Sequence, residues 1–106
     1  MTASIAKDMK PDEGSVLIRV FTHPVCTTCH LAIRMAEELS RQRGDLVVRV
    51  ISLANGPGRD AAANEHVLSV PTVLVGSEGT RFVGVPKRQD LVHAIEEAKR
   101  LLTRKE

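Results

Sequence analysis

The sequence predicts one α/β domain of order β-α-β-α-β-β-α, a four-stranded mixed sheet with helices on both faces. Three observations carry that expectation. Four short runs are apolar and rich in β-branched residues, three stretches repeat apolar residues at helical spacing, and Gly, Pro and Asn punctuate the boundaries. A length of 106 residues suits a single domain with a small core of its own. At 42% apolar and 26% charged, the composition is that of a globular chain and not of a disordered one.

Residues 1–14 (MTASIAKDMKPDEG) are polar and read as a tail or lead-in; the domain is expected over 15–106. Val16 to Phe21 form a β-branched apolar run, a buried strand. His23-Pro24 breaks it. From Cys26 to Arg43, Leu31, Met35 and Leu39 recur every four residues beside Ala32 and Ala36, one face of a helix. Arg41 and Arg43 suit its last turn, and Gly44 can take the left-handed cap. Leu46 to Ile51 is a second strand. Asn55-Gly56-Pro57-Gly58 reads as a turn, and 59–68 as a short helix. Thr72 to Val75 and Arg81 to Val85 form a hairpin across Gly76-Ser77-Glu78-Gly79. Pro86 can open the last helix, whose stripe is Leu91, Ile95, Ala98 and Leu102. Both β-α-β units are expected as right-handed crossovers in one parallel set, with the hairpin adding an antiparallel pair.

Composition removes several classes of function. Phe21 and Phe82 are the only aromatics, so no stacking platform for single-stranded nucleic acid is available. A net charge of +2 with interspersed signs leaves no nucleic-acid footprint. No apolar stretch approaches the ~18 residues of a membrane span. Two cysteines are too few for a stapled secreted scaffold, and no signal-peptide run precedes Gly14, which together favour a reducing cytoplasm. In that compartment a cysteine pair is more often catalytic or metal-binding than structural.

Cys26-Thr27-Thr28-Cys29 falls where a strand ends and a helix begins. A helix N-terminus offers unpaired N–H groups and about half a positive charge, both of which favour thiolate over thiol. In such settings cysteine pKa values fall to about 3.5–7.5, against about 8.5 for a free thiol. The thiolate is the species that attacks a disulfide. Cys26 at the tip is expected to attack. Cys29, three residues on and on the same side of the turn, can close a disulfide with it and resolve the adduct.

These residues resemble the thioredoxin superfamily. A C-x-x-C beside a βαβ pattern is its signature. Phe21 precedes the cysteines, Val70-Pro71-Thr72 is similar to the family's cis-proline loop, and Gly84 stands in the last strand region. The likeness spans roughly residues 15–103 in element order. It implies that Pro71 is cis and faces the disulfide, that Val70 pairs with an extended substrate segment, and that Gly84 leaves room beside that groove. Val25 and Thr27 flank Cys26 and are further expected substrate contacts. Departures are also visible. Val25 and Thr27-Thr28 stand where thioredoxins have Trp and Gly-Pro, and Val20 occupies the place of a buried acid. Water, His30 or His23 is left to take the resolving proton. The domain is closer in size to a glutaredoxin, but it lacks that family's Pro-Tyr between the cysteines and its Gly-Gly pair.

The resemblance therefore implies a dithiol–disulfide oxidoreductase acting on protein disulfides as a monomer. No metal or organic cofactor is expected; a thioredoxin-reductase-type enzyme or a thiol donor recycles it. Rival readings are a redox-sensing or binding module without turnover, and metal binding through His23, Cys26, Cys29 and His30. Adjacent Cys29 and His30 point about 100° apart on a helix, which disfavours the second. Cys26 to His30 also spells the C-x-x-C-H of haem attachment, but four strand-like runs are unlike a helical haem protein. His66 and His93 read as surface residues and Met35 as core. Arg19 and Arg49 read as snorkelling or paired residues at a sheet margin.

Overall fold

A computed structural model describes residues 15–76 and 80–104. The predicted element order is found. It comprises β1 (Val16–Thr22), α1 (Cys29–Arg43), β2 (Leu46–Ser52), α2 (Gly56–Asn64), β3 (Thr72–Val75), β4 (Thr80–Val83) and α3 (Arg88–Arg104). The strands form one mixed sheet in the order β2-β1-β3-β4. β1 is central, and all of Val16, Ile18, Val20 and Phe21 are buried. Burial on both faces is why that strand reads as a continuous apolar run.

The alternation of side chains divides the core in two. Val16, Ile18 and Val20 of β1 and Val73 and Val75 of β3 face Ala32, Ala36 and Leu39 of α1 and Leu91, Ala94 and Ile95 of α3. On the other face Phe21 and Leu74 pack under Ala62 of α2 and Val67. In α1 the buried line is Cys29, Ala32, Ala36 and Leu39. Leu31, expected in that line, is exposed instead, because the face presented to the sheet is centred on the two alanines.

One topological expectation is corrected. β1 and β2 are parallel, but β3 runs antiparallel to β1, with Phe21 opposite Thr72 and Ile18 opposite Val75. The chain path explains it. α2 is only 9 residues long and descends about 13 Å from the end of β2. Residues 65–71 then return as irregular chain, so β3 starts at the edge where β1 and β2 finish. A second parallel unit would have required the helix to be followed at once by the strand.

Helix boundaries also differ, for reasons of capping. α2 begins inside the predicted turn, because the Asn55 side chain accepts from Gly58 N at 2.7 Å and Pro57 lies in the first turn. It ends at Asn64, with His66 in the left-handed region at φ 59°. α3 starts at Arg88 rather than Pro86, since Leu91 N already bonds Lys87 O. Gly44 caps α1 at φ 75° as expected. Gly84 lies just past β4, not within it, at φ 94°. Of the hairpin turn, Ser77, Glu78 and Gly79 lie outside the described residues, as does the lead-in 1–14.

A charged cluster closes the end of the sheet remote from the cysteines. The Arg43 guanidinium grips both oxygens of Asp45, at 3.0 and 3.2 Å, and reaches Glu96 of α3 at 2.9 Å. Lys99 adds a contact to Asp45 at 2.9 Å. The bond from Arg43, helped by Lys99 and opposed by partial burial, holds the Asp45 carboxyl down at about 2. One aspartate thereby ties α1, β2 and α3 together.

Candidate active site

β1 ends at Thr22, and the next six residues turn the chain into α1. The turn is held by Cys26 N to His23 O at 2.9 Å, and the His23 Nδ1 accepts from Val25 N at 3.2 Å. His23 is thus occupied in shaping the loop. His30 is exposed on the first turn of α1.

The cysteines do not both lie on the helix, a correction to the sequence expectation. Cys29 is the first residue of α1, Thr28 is its N-cap, and Cys26 stands two residues ahead of that cap. They form a disulfide, with Cα atoms 5.6 Å apart. Their environments differ. Cys29 is 3% exposed on the buried line of α1, whereas Cys26 is partly open to solvent. An attacking sulfur must meet a partner molecule and a resolving sulfur need not, so the asymmetry suits the two roles.

Electrostatics at this end of α1 favour a sulfur anion. The first turn contains no acidic residue to cancel the helix dipole. The Thr28 hydroxyl does not fold back to cap the helix. It lies instead 4.0 Å from Cys26 Sγ, from where it can donate a hydrogen bond to sulfur. Sequence reasoning singles out Thr27, which is exposed, and passes over Thr28.

The second wall comes from β3. With Phe21 opposite Thr72, the register carries Pro71 to the edge where β1 runs into the cysteine loop. The Val70–Pro71 bond is cis. Pro71 is buried, Val70 is half-buried, and the Pro71 carbonyl accepts from Gly84 N at 2.7 Å. A Cβ built on Gly84 meets nothing within 4 Å, so the space beside it is open. Val25, Val70, Pro71 and Gly84 therefore gather at one end of the sheet with the cysteines.

That end is unusually apolar outside. Val25 is 79% exposed, and Leu68, three residues before Pro71, is 95% exposed. Val83 and Val85 are exposed on either side of Gly84. Leu68, Val83 and Val85 are exposed apolar residues that sequence reasoning does not single out. A leucine in a loop carries no sequence signal that distinguishes an exposed from a buried position. Among the described residues no group of three or more His, Cys, Asp or Glu side chains is placed to hold a metal ion. Among them, too, no helix is long and apolar enough to cross a membrane. Arg19, read as snorkelling or paired, is paired with Glu65 at 2.9 Å, Arg49 is exposed on β2, and His66 and His93 are exposed, as read from the sequence.

Two sulfurs that can pass between a bond and a pair of thiols, one reachable and one sheltered, have the chemistry of a thiol–disulfide oxidoreductase. The sheet and helices that carry them are thioredoxin-like. Comparison with known proteins agrees. The chain is 32% identical over 83 residues to the thioredoxin of Methanocaldococcus jannaschii, covering 77% of this chain and 94% of that one. It is 35% identical over 81 residues to a probable thioredoxin of Methanothermobacter thermautotrophicus, covering 76% of this chain and 92% of that one. Among solved structures, a mutant thioredoxin from Halobacterium salinarum superposes with a TM-score of 0.72 at 22% identity, over 91% of this chain and 84% of that one. Fasciola hepatica thioredoxin superposes at 0.70 with 19% identity, over 92% and 93%. No family model matches the chain. The chain belongs to the thioredoxin superfamily.

Proposed function

We propose that the chain reduces or exchanges disulfides in protein substrates, with residues 15–106 as the catalytic unit. The Cys26 thiolate attacks one sulfur of a substrate disulfide. That S–S bond breaks, the other substrate sulfur leaves as a thiolate and takes a proton, and Cys26 is left in a mixed disulfide. Cys29 loses its proton to water or to His30, since the Nδ1 lone pair of His23 is taken by Val25 N. It then attacks Cys26 Sγ and expels the second substrate sulfur. The substrate gains two electrons and two protons, and the Cys26–Cys29 bond is restored.

The substrate lies extended against Val70 and Pro71, with main-chain pairing at Val70 and side chains against Val25, Thr27 and the open space at Gly84. A thioredoxin-reductase-type enzyme or a thiol donor returns the pair to the dithiol. The protein works as a cytoplasmic monomer and needs no cofactor of its own. What carries this reading is the unequal exposure of the bonded cysteines, one reachable and one buried.

The test is covalent trapping. Cys29→Ser should accumulate a mixed disulfide with substrate, detectable by mass, and Cys26→Ser should not. Equal trapping by both variants would refute the assigned roles. Oxidation of the pair without turnover in an insulin-type disulfide reduction assay would instead identify a sensor or binding module.

A further inference from the structure

The segment 65–71 that leads into Pro71 is held from a direction the chemistry does not explain. Arg19, Leu74 and Arg81 stand side by side across β1, β3 and β4, so their side chains share one face of the sheet. Arg81 extends past the buried Leu74 and donates twice to the start of the segment, to Glu65 O at 2.5 Å and His66 O at 3.3 Å. Arg19 reaches the same residue from the other side, donating to Glu65 Oε2 at 2.9 Å. Its Nε is buried without a hydrogen-bond partner, which leaves Glu65 as the compensation for a partly buried guanidinium. Three residues beyond Arg81, Gly84 N holds the other end of the segment through Pro71 O at 2.7 Å.

β4 and the residue that follows it therefore grip 65–71 at both ends. Between the grips, Val67 is anchored in the core, Thr72 Oγ1 donates to Ser69 O at 2.7 Å, and Leu68 points into solvent. The left-handed His66 needs such a hold, because a non-glycine residue at φ 59° is the strained point of the turn. We infer that Arg81, seconded by the Arg19–Glu65 pair, is a positioning residue that fixes the height of the Leu68–Pro71 loop against the Cys26 loop, and so sets the affinity for the substrate segment. The inference rests on the reading of Val70–Pro71 as the substrate-binding wall. A planar guanidinium spanning two carbonyls is the group suited to this task, and a lysine can satisfy only part of it.

Arg81→Gln is compared with Arg81→Lys and the unaltered protein by amide hydrogen exchange and by disulfide-reduction kinetics. In Arg81→Gln the amides of His66 and Val67, which bond Ala63 O and Ala62 O, should exchange at least tenfold faster while those of β1 keep their protection. KM for a protein disulfide should rise about fivefold with kcat within twofold. The equilibrium of Cys26–Cys29 with glutathione should be unchanged, because the arginine bonds the Glu65 end of the segment and not the Pro71 end. Arg81→Lys should fall between. If Arg81→Gln fails to fold, Arg81→Lys and Glu65→Gln carry the same comparison with smaller effects. Exchange that quickens equally in β1 marks a merely structural residue and overturns the proposal. So does an unchanged KM, or a glutathione equilibrium that moves with it. Absence of turnover in the unaltered protein would sink the proposed function, and the exchange pattern would still decide whether Arg81 holds the loop.

Discussion

Removing the charge of Asp45 tests the cluster that joins three elements at the end of the molecule away from the disulfide. The Asp45 carboxyl is 21% exposed and sits between Arg43 and Lys99, at 3.0 and 2.9 Å. These cations hold its folded-state value down at about 2 from an ordinary 3.8. A depression of that size corresponds to roughly 2.5 kcal/mol of pH-dependent stability. The flanking cations are partly solvated, so about 1–2 kcal/mol is the working expectation. A carboxyl whose folded value is depressed stabilises the fold fully above its unfolded value. The stabilisation is lost as pH falls from near 4 toward 2, where both states take up the proton. Asp45→Asn should therefore be less stable than the unaltered protein by about 1–2 kcal/mol at pH 7, and the gap should close on acidification. Urea denaturation of both proteins at intervals between pH 7 and pH 2 reads it directly. Arg43 keeps Glu96 as a partner in the variant, so the loss is confined to Asp45. A gap that stays constant down to pH 2, or none at pH 7, would show that the ion pairs do not couple to folding.

Two further substitutions separate stability from recognition. A Cβ on Gly58 would stand 1.6 Å from the backbone oxygen of Ser52, so Gly58→Ala must push α2 off the end of β2. A loss of about 3 kcal/mol or more in urea denaturation is expected, and a loss below ~1 kcal/mol would show that this contact yields. Leu68→Ser should leave stability within about 0.5 kcal/mol, because the side chain is solvated. Its KM for a protein disulfide should nevertheless rise several-fold, up to about tenfold if a substrate side chain covers the leucine. Reduction of a small-molecule disulfide should be unaffected. Unchanged kinetics with the protein substrate would take Leu68 out of the docking surface.

What the sequence reveals and what it hides divide along the range of the interactions. The strands of the core are legible because Val16 to Phe21 and Thr72 to Val75 are dense in residues that stiff, pleated backbone favours. The cysteine pair is legible for the same local reason: three residues of spacing at a strand-to-helix junction limit where two sulfurs can go. The direction of β3 is not, because it depends on whether nine residues of α2 plus an irregular return span the sheet once or twice. Neither propensity nor periodicity encodes that length balance. The start of α2 is misplaced because Asn55-Gly56-Pro57-Gly58 has the composition of a turn and the geometry of a cap, and only the Asn55 to Gly58 bond tells them apart. Arg81 and Leu68 are beyond reach for a deeper reason. An arginine on an edge strand and a leucine in a loop are both ordinary in sequence. Their significance comes from what lies opposite in space, two carbonyls for one and open solvent for the other. The two bonded cysteines are close in the chain and can be read from it. Arg81 lies 15 and 16 residues from the two carbonyls it holds, and only the folded sheet brings them together.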